Sequence, residues 1–124
     1  MESLDQLRVT IASVLQSQIG DYHTGTVQDT FIQSKDLNRF LVICTGWFKG
    51  ENFYGITQDV ELREDGTVLI HADHTTDDLA EDLIEAGIPA SSIVKAYDPE
   101  VMERLSKVDQ PENAQRDSSQ RQAA

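Results

Sequence analysis

FYGITQDVELREDGTVLIHAD, residues 53–73, is the stretch whose reading decides the fold. Alternation puts Tyr54, Ile56, Val60 and Leu62 on one side of a strand. Phe53, Gly55, Thr57, Asp59 and Glu61 fall on the other, so that face is mostly wet. Asp65-Gly66 is the strongest short signal for a hairpin turn. TVLIHAD is then the antiparallel partner strand, with His71 and Asp73 on one face, opposite to Val68 and Ile70.

Upstream, RFLVICTGWF (39–48) is a strand of another kind. Phe40, Val42 and Cys44 share one face, and Leu41, Ile43 and Trp47 share the other. A strand apolar on both faces is expected to be covered on both, by a helix on one side and by something else opposite. KGEN (49–52) turns the chain between these two strands. VQDTFIQS (27–34) reads as a further, weaker strand. Before it, Leu4, Leu7, Ile11, Val14, Leu15 and Ile19 recur at helical spacing. Ser3 with Gln6 fits a capping box for that helix, and Gly20 is its expected stop.

Downstream, a second helix is expected over Thr76 to Ala86. Leu79, Ala80, Leu83 and Ile84 form its buried stripe, and Gly87 ends it. SSIVKAY (91–97) reads as a short strand. DPEVMERLSK (98–107) reads as a last helix, with Asp98 as cap and Pro99 at the first helical position. From Asp109 onward no apolar period remains, and residues 109–124 read as a disordered polar tail. The expected fold class is α+β: N-terminal helix, four-stranded antiparallel β-meander, helix, short strand and short C-terminal helix, in one domain over residues 1–108.

The chain has 124 residues and a net charge of −12. The tail holds three acids and two arginines, so the body carries a net charge of about −11. Such a body repels phosphate backbones, and its ten lysines and arginines form no stripe, so autonomous nucleic-acid binding is not expected. The single cysteine excludes an internal disulfide and fits a reducing cytoplasm. No stretch approaches the length of a membrane span, and the N-terminus lacks the basic start of a signal peptide.

The chemistry-bearing residues are few. HADHTTDD (71–78) gathers His71, Asp73, His74 and Asp77, the candidate metal ligands. Their spacing matches neither a zinc signature nor a calcium loop. A structural reading accounts for each residue. Thr75 or Thr76 caps the second helix, and Asp77 and Asp78 sit in its first turn near the positive end of the dipole. Cys44 lies mid-strand in an apolar run, which fits core better than a nucleophile. His23 stands alone in a loop. There is no phosphate-binding glycine loop and no nucleophile elbow, so no enzyme and no cofactor is expected.

The central block resembles the XisI-like family, the fdxN element excision controlling factors. The matching features are Gly46-Trp47 at a strand end, Tyr54 opening the next strand, and DVELREDGTVLIHAD around Asp65-Gly66. AEDLIEAGIPASSIV continues the match, with Leu83, Gly87, Ile88, Pro89 and Ile93-Val94 at the expected intervals. The likeness runs from about residue 4 to residue 97. It implies a small cyanobacterial accessory protein, associated with excision of a DNA element by a site-specific recombinase during heterocyst development. Members are often encoded beside XisH, which looks nuclease-like. The family carries no established catalytic residue, so the resemblance supplies none.

Residues and resemblance together lead to a non-enzymatic module that binds a protein with a basic surface, an XisH-like nuclease or a recombinase. Leu41, Ile43, Trp47 and Phe53 are the candidate contact residues. The patch around Leu41, Ile43 and Trp47 is either such an interface, the seam of a homodimer, or a surface covered by the C-terminal segment. The alternative function is an acidic calcium-binding protein using the ridge of Asp73, Asp77, Asp78, Glu81, Asp82 and Glu85.

Overall fold

The computed structural model describes residues 3–19, 25–75 and 78–99. The elements are α1 (Leu4–Ser17), β1 (Gln28–Gln33), β2 (Arg39–Phe48), β3 (Glu51–Leu62), β4 (Val68–Asp73), α2 (Leu79–Glu85), a 3-10 turn (Ala90–Ser92) and β5 (Ile93–Lys95). The five strands form one sheet in the order β1-β2-β3-β4-β5. The first four pair antiparallel, and β5 joins β4 in parallel. This is the expected α+β meander. The expected C-terminal helix, the polar tail, Gly20 and His23 lie outside the described residues.

Local sequence accounts for the elements. Ser3 and Gln6 close a reciprocal capping box at the start of α1. Leu7, Ile11 and Leu15 are its buried stripe. Phe48 pairs with Glu51 across a two-residue loop, Lys49-Gly50, in which both residues have positive φ. Such a turn matches the twist of the flanking strands. Gly46, at φ 135°, lies so close to the incoming chain that a Cβ there would sit 2.3 Å from the Thr26 carbonyl oxygen.

Helix α2 departs from its expected start. Its cap is Asp78, whose carboxylate accepts from the Ala80 and Glu81 amides, and not Thr75; Thr76 lies outside the described residues. Thr75 instead donates its hydroxyl to Asp73 Oδ1 at 2.7 Å. The Asp78 carboxylate thus satisfies two of the amides that the first turn of α2 leaves free.

Both helices pack on one face of the sheet, here called inner. Leu7, Ile11 and Leu15 of α1 and Leu79, Ala80 and Leu83 of α2 join Ile88 in the core. Phe40, Val42, Val60, Leu62, Val68 and Ile70 meet them from the strands. Gln58 is the one polar side chain buried with them among the described residues.

Two β-bulges break the alternation on which the strand reading depended. Val42 faces Gln58 and Ile43 faces Ile56, so Thr57 is an extra residue in β3. Asp59 faces Ala72 and Val60 faces Ile70, so His71 is an extra residue in β4. Each extra residue transfers everything beyond it to the opposite face.

Candidate protein interface

Register fixes which side chains share the outer face, because directly opposed antiparallel residues point the same way. Thr30 faces Ile43 and Ile32 faces Leu41 on β1–β2. Ile43 faces Ile56, Thr45 faces Tyr54 and Trp47 faces Asn52 on β2–β3. Ile32, Leu41, Ile43, Trp47, Tyr54 and Ile56 therefore occupy the face away from the helices. Tyr54 is 83% exposed, Trp47 57%, Ile56 44% and Ile32 41%, while Leu41 and Ile43 are half-buried. No described helix lies over them.

Three of the four expected contact residues, Leu41, Ile43 and Trp47, thus come together. Phe53 does not. It faces Gly46 across the β2–β3 pair, on the side opposite to Trp47. Tyr54 and Ile56, grouped by alternation with Val60 and Leu62, are the residues that strand reasoning missed. The bulge at Thr57 sets them beside Trp47 instead. No residue type at position 57 announces that bulge.

A row of charges crosses the same face beside the apolar strip. Arg39 grips Asp59 through Nε at 2.6 Å and Nη2 at 3.0 Å, a two-pronged contact. The hydrogen-bonded Asp59 carboxylate holds the Arg39 pKa above its ordinary value. Glu61 Oε1 lies 2.8 Å from His71 Nε2 and 3.9 Å from Arg39 Nη1. These charges are occupied with each other.

The candidate metal ligands separate. His71, the bulged residue, turns to the outer face and meets Glu61. Asp73 faces Gln58 on the inner side, which corrects the expectation that His71 and Asp73 share a face. Its two oxygens serve Thr75 and the Leu79 amide, the latter at 3.0 Å. His74 is exposed, and its backbone amide donates to the Thr57 carbonyl at 2.7 Å. Asp77 lies outside the described residues. Among the described residues no three His, Cys, Asp or Glu side chains converge as metal ligands do.

Cys44 sits beside Asp29 on the inner side of the sheet, half-buried and outside the core cluster, where full core burial was expected. Burial first, and the Asp29 carboxylate second, push its thiol up from the ordinary value. Such a thiol is a poor nucleophile near neutral pH. Among the described residues, no helix is long and apolar enough to cross a membrane.

The fold has known counterparts. An XisI-like protein from Anabaena variabilis ATCC 29413 superposes with a TM-score of 0.66 at 19% identity, covering 74% of this chain and 84% of its own. The fdxN element excision controlling factor XisI from the same organism gives 0.62 at 22% identity, covering 77% of this chain and 93% of its own. No curated protein matches the sequence. The family described as XisI protein matches residues 1–108, from the first helix through β5 and beyond. This chain belongs to the XisI family.

Proposed function

We propose that this chain is a non-catalytic accessory factor in the control of DNA-element excision. It acts by binding a protein, an XisH-like nuclease or a site-specific recombinase, and not by gripping DNA. One observation carries the proposal: the outer face presents Ile32, Leu41, Ile43, Trp47, Tyr54 and Ile56 as a continuous apolar strip with exposed aromatic residues at its end. Exposed apolar patches with aromatic anchors are typical of protein interfaces. The net charge of −12 supports a partner with a basic surface and opposes contact with a phosphate backbone. The likeness to a solved excision controlling factor supports the excision setting.

Co-purification tests the reading. The tagged full chain, expressed beside the XisH-like protein and the recombinase of the same genome, is expected to retain one of them at moderate salt. Retention is expected to be lost when Tyr54 and Ile56 are both replaced by serine. A chain that elutes alone with each candidate, or retarded migration of a bare DNA duplex at physiological salt, overturns the proposal.

A further inference from the structure

β1 is an edge of the sheet, and its free side is unguarded. Thr26 N donates to the Trp47 carbonyl at 3.0 Å, and Ser34 N donates to the Arg39 carbonyl at 2.9 Å. The register between these two bonds is unbroken, so Gln28, Thr30 and Ile32 bond inward to β2. Asp29, Phe31 and Gln33 therefore turn their N–H and C=O groups away from the sheet, where among the described residues no strand meets them. Edge strands are ordinarily protected by lysine, proline, a bulge or brevity. The opposite edge, β5, is three residues long. β1 has six residues, no lysine, no proline and no bulge, and Asp29 is its one charge. Apolar side chains flank it as well. Val9, 70% exposed, and Leu37, 50% exposed, rim a groove between α1 and the end of β1 that Ala12, Ser13 and Gln33 also line.

We propose that β1 pairs antiparallel with β1 of a second copy of this chain, about a two-fold axis at Phe31, so that two five-stranded sheets become one continuous sheet. Phe31 then faces Phe31 of the partner subunit, and Asp29 faces Gln33 of the partner subunit. Each of these pairs exchanges two backbone hydrogen bonds. The side chains match too. Gln33 gives one amide hydrogen to the Leu37 carbonyl at 3.2 Å and has a second for the opposing carboxylate. Other axes serve Asp29 worse. An axis at Asp29 opposes two carboxylates, one at Thr30 sets Asp29 against Phe31, and one at Ile32 leaves it facing a residue beyond the strand. Charge also selects this edge. A chain of net charge −12 repels its copy over most of its surface, whereas β1 carries a single acid. Antiparallel pairing puts both inner faces on one side, so the two copies of α1 flank the seam, and Ala12 and Ser13 are small enough for close approach. The outer strip stays open, so this pairing goes beyond the proposed partner binding and stands independently of it.

Sedimentation of the full-length protein at micromolar concentration and physiological salt tests it. The expected mass is twice the 13.9 kDa of one chain. Replacement Asp29→Pro removes an outward N–H and leaves the β1–β2 bonds in place, so it is expected to give a folded monomer. Gln33→Glu sets carboxylate against carboxylate in both side pairs and is expected to weaken the dimer at least about tenfold. Adding Asp29→Gln to Gln33→Glu swaps the pair and is expected to restore it. Tyr54→Ser with Ile56→Ser, on the outer face, is expected to leave the dimer intact. A monomeric parent chain overturns the proposal. So does a dimer that survives Asp29→Pro, and so does one that the Tyr54 and Ile56 replacements dissociate, because the outer strip is then the seam. Should Asp29→Pro unfold the chain, the Gln33→Glu and Asp29→Gln series decides: loss and recovery support the pairing, and a dimer indifferent to Gln33→Glu or not recovered in the double variant overturns it.

Discussion

The Leu79 amide donates to Asp73 Oδ2 at 3.0 Å, so the last residue of β4 holds the first residue of α2. Thr75 completes the arrangement, donating its hydroxyl to the other Asp73 oxygen. The carboxylate spends both oxygens on turning a strand into a helix. Replacement Asp73→Ala is expected to cost about 1–2 kcal/mol, the range for losing a helix cap and its companion hydrogen bond. Asp73→Asn, which keeps an acceptor, is expected to cost less. Urea unfolding midpoints measure both. Equal stability of Asp73→Ala and the parent chain would show that the carboxylate is not structural.

Outer-face substitutions are expected to separate binding from stability. Tyr54→Ser and Ile56→Ser alter exposed side chains, so unfolding free energies are expected to stay within about 0.5 kcal/mol of the parent. Partner affinity is expected to fall at least about tenfold, or ~1.4 kcal/mol. Val60→Ser, on the inner face of the same strand, is expected to do the reverse by weakening the fold first, since Val60 is fully buried. Paired thermal melts and binding titrations read both effects. A Tyr54→Ser variant that unfolds readily but binds normally contradicts the assigned face.

The same strand shows where sequence stops being sufficient. The helices were legible because their apolar spacing and the Ser3–Gln6 box act within a few residues. The two tight turns were legible for the same reason. From Val60 to Leu62 the alternation is also right. It fails at Tyr54 and Ile56 because a bulge is decided by what two strands do together, and Thr57 carries no local mark of it. His71 repeats the lesson on β4. The α2 cap failed differently, since Thr75 and Asp78 are both good caps and only the path out of β4 selects between them.

Cys44 is expected to react slowly. Burial and the neighbouring Asp29 charge both raise its pKa, so the neutral thiol is favoured and the thiolate is scarce at pH 7. The sign for stability follows: a raised folded pKa gives stability that is complete below the unfolded pKa and lost as pH rises through the folded one. Iodoacetamide is expected to label the native protein much more slowly than the unfolded chain at pH 8. Asp29→Asn is expected to speed labelling by removing the charge that opposes ionisation. An unchanged rate in that variant would leave burial as the whole cause.

Gln58, 1% exposed, donates through Nε2 to Gln18 Oε1 at 2.8 Å, and Gln18 donates through its own Nε2 to Asp82 Oδ2 at 2.6 Å. One chain of hydrogen bonds therefore links β3, the C-terminal cap of α1 and the middle of α2. Gln18→Ala leaves the buried Gln58 amide without its acceptor, which costs about 1–3 kcal/mol of uncompensated desolvation. Asp82 is only half-buried, so water satisfies it and adds little to that loss. Gln58→Leu together with Gln18→Ala removes donor and acceptor at once and fills the space with an apolar side chain. The double variant is therefore expected to be more stable than Gln18→Ala alone. Denaturant unfolding of the parent, the two single variants and the double variant closes the cycle. Losses that simply add would mean that Gln58 and Gln18 do not depend on each other, and the link between sheet and helices would have to reside in apolar packing alone.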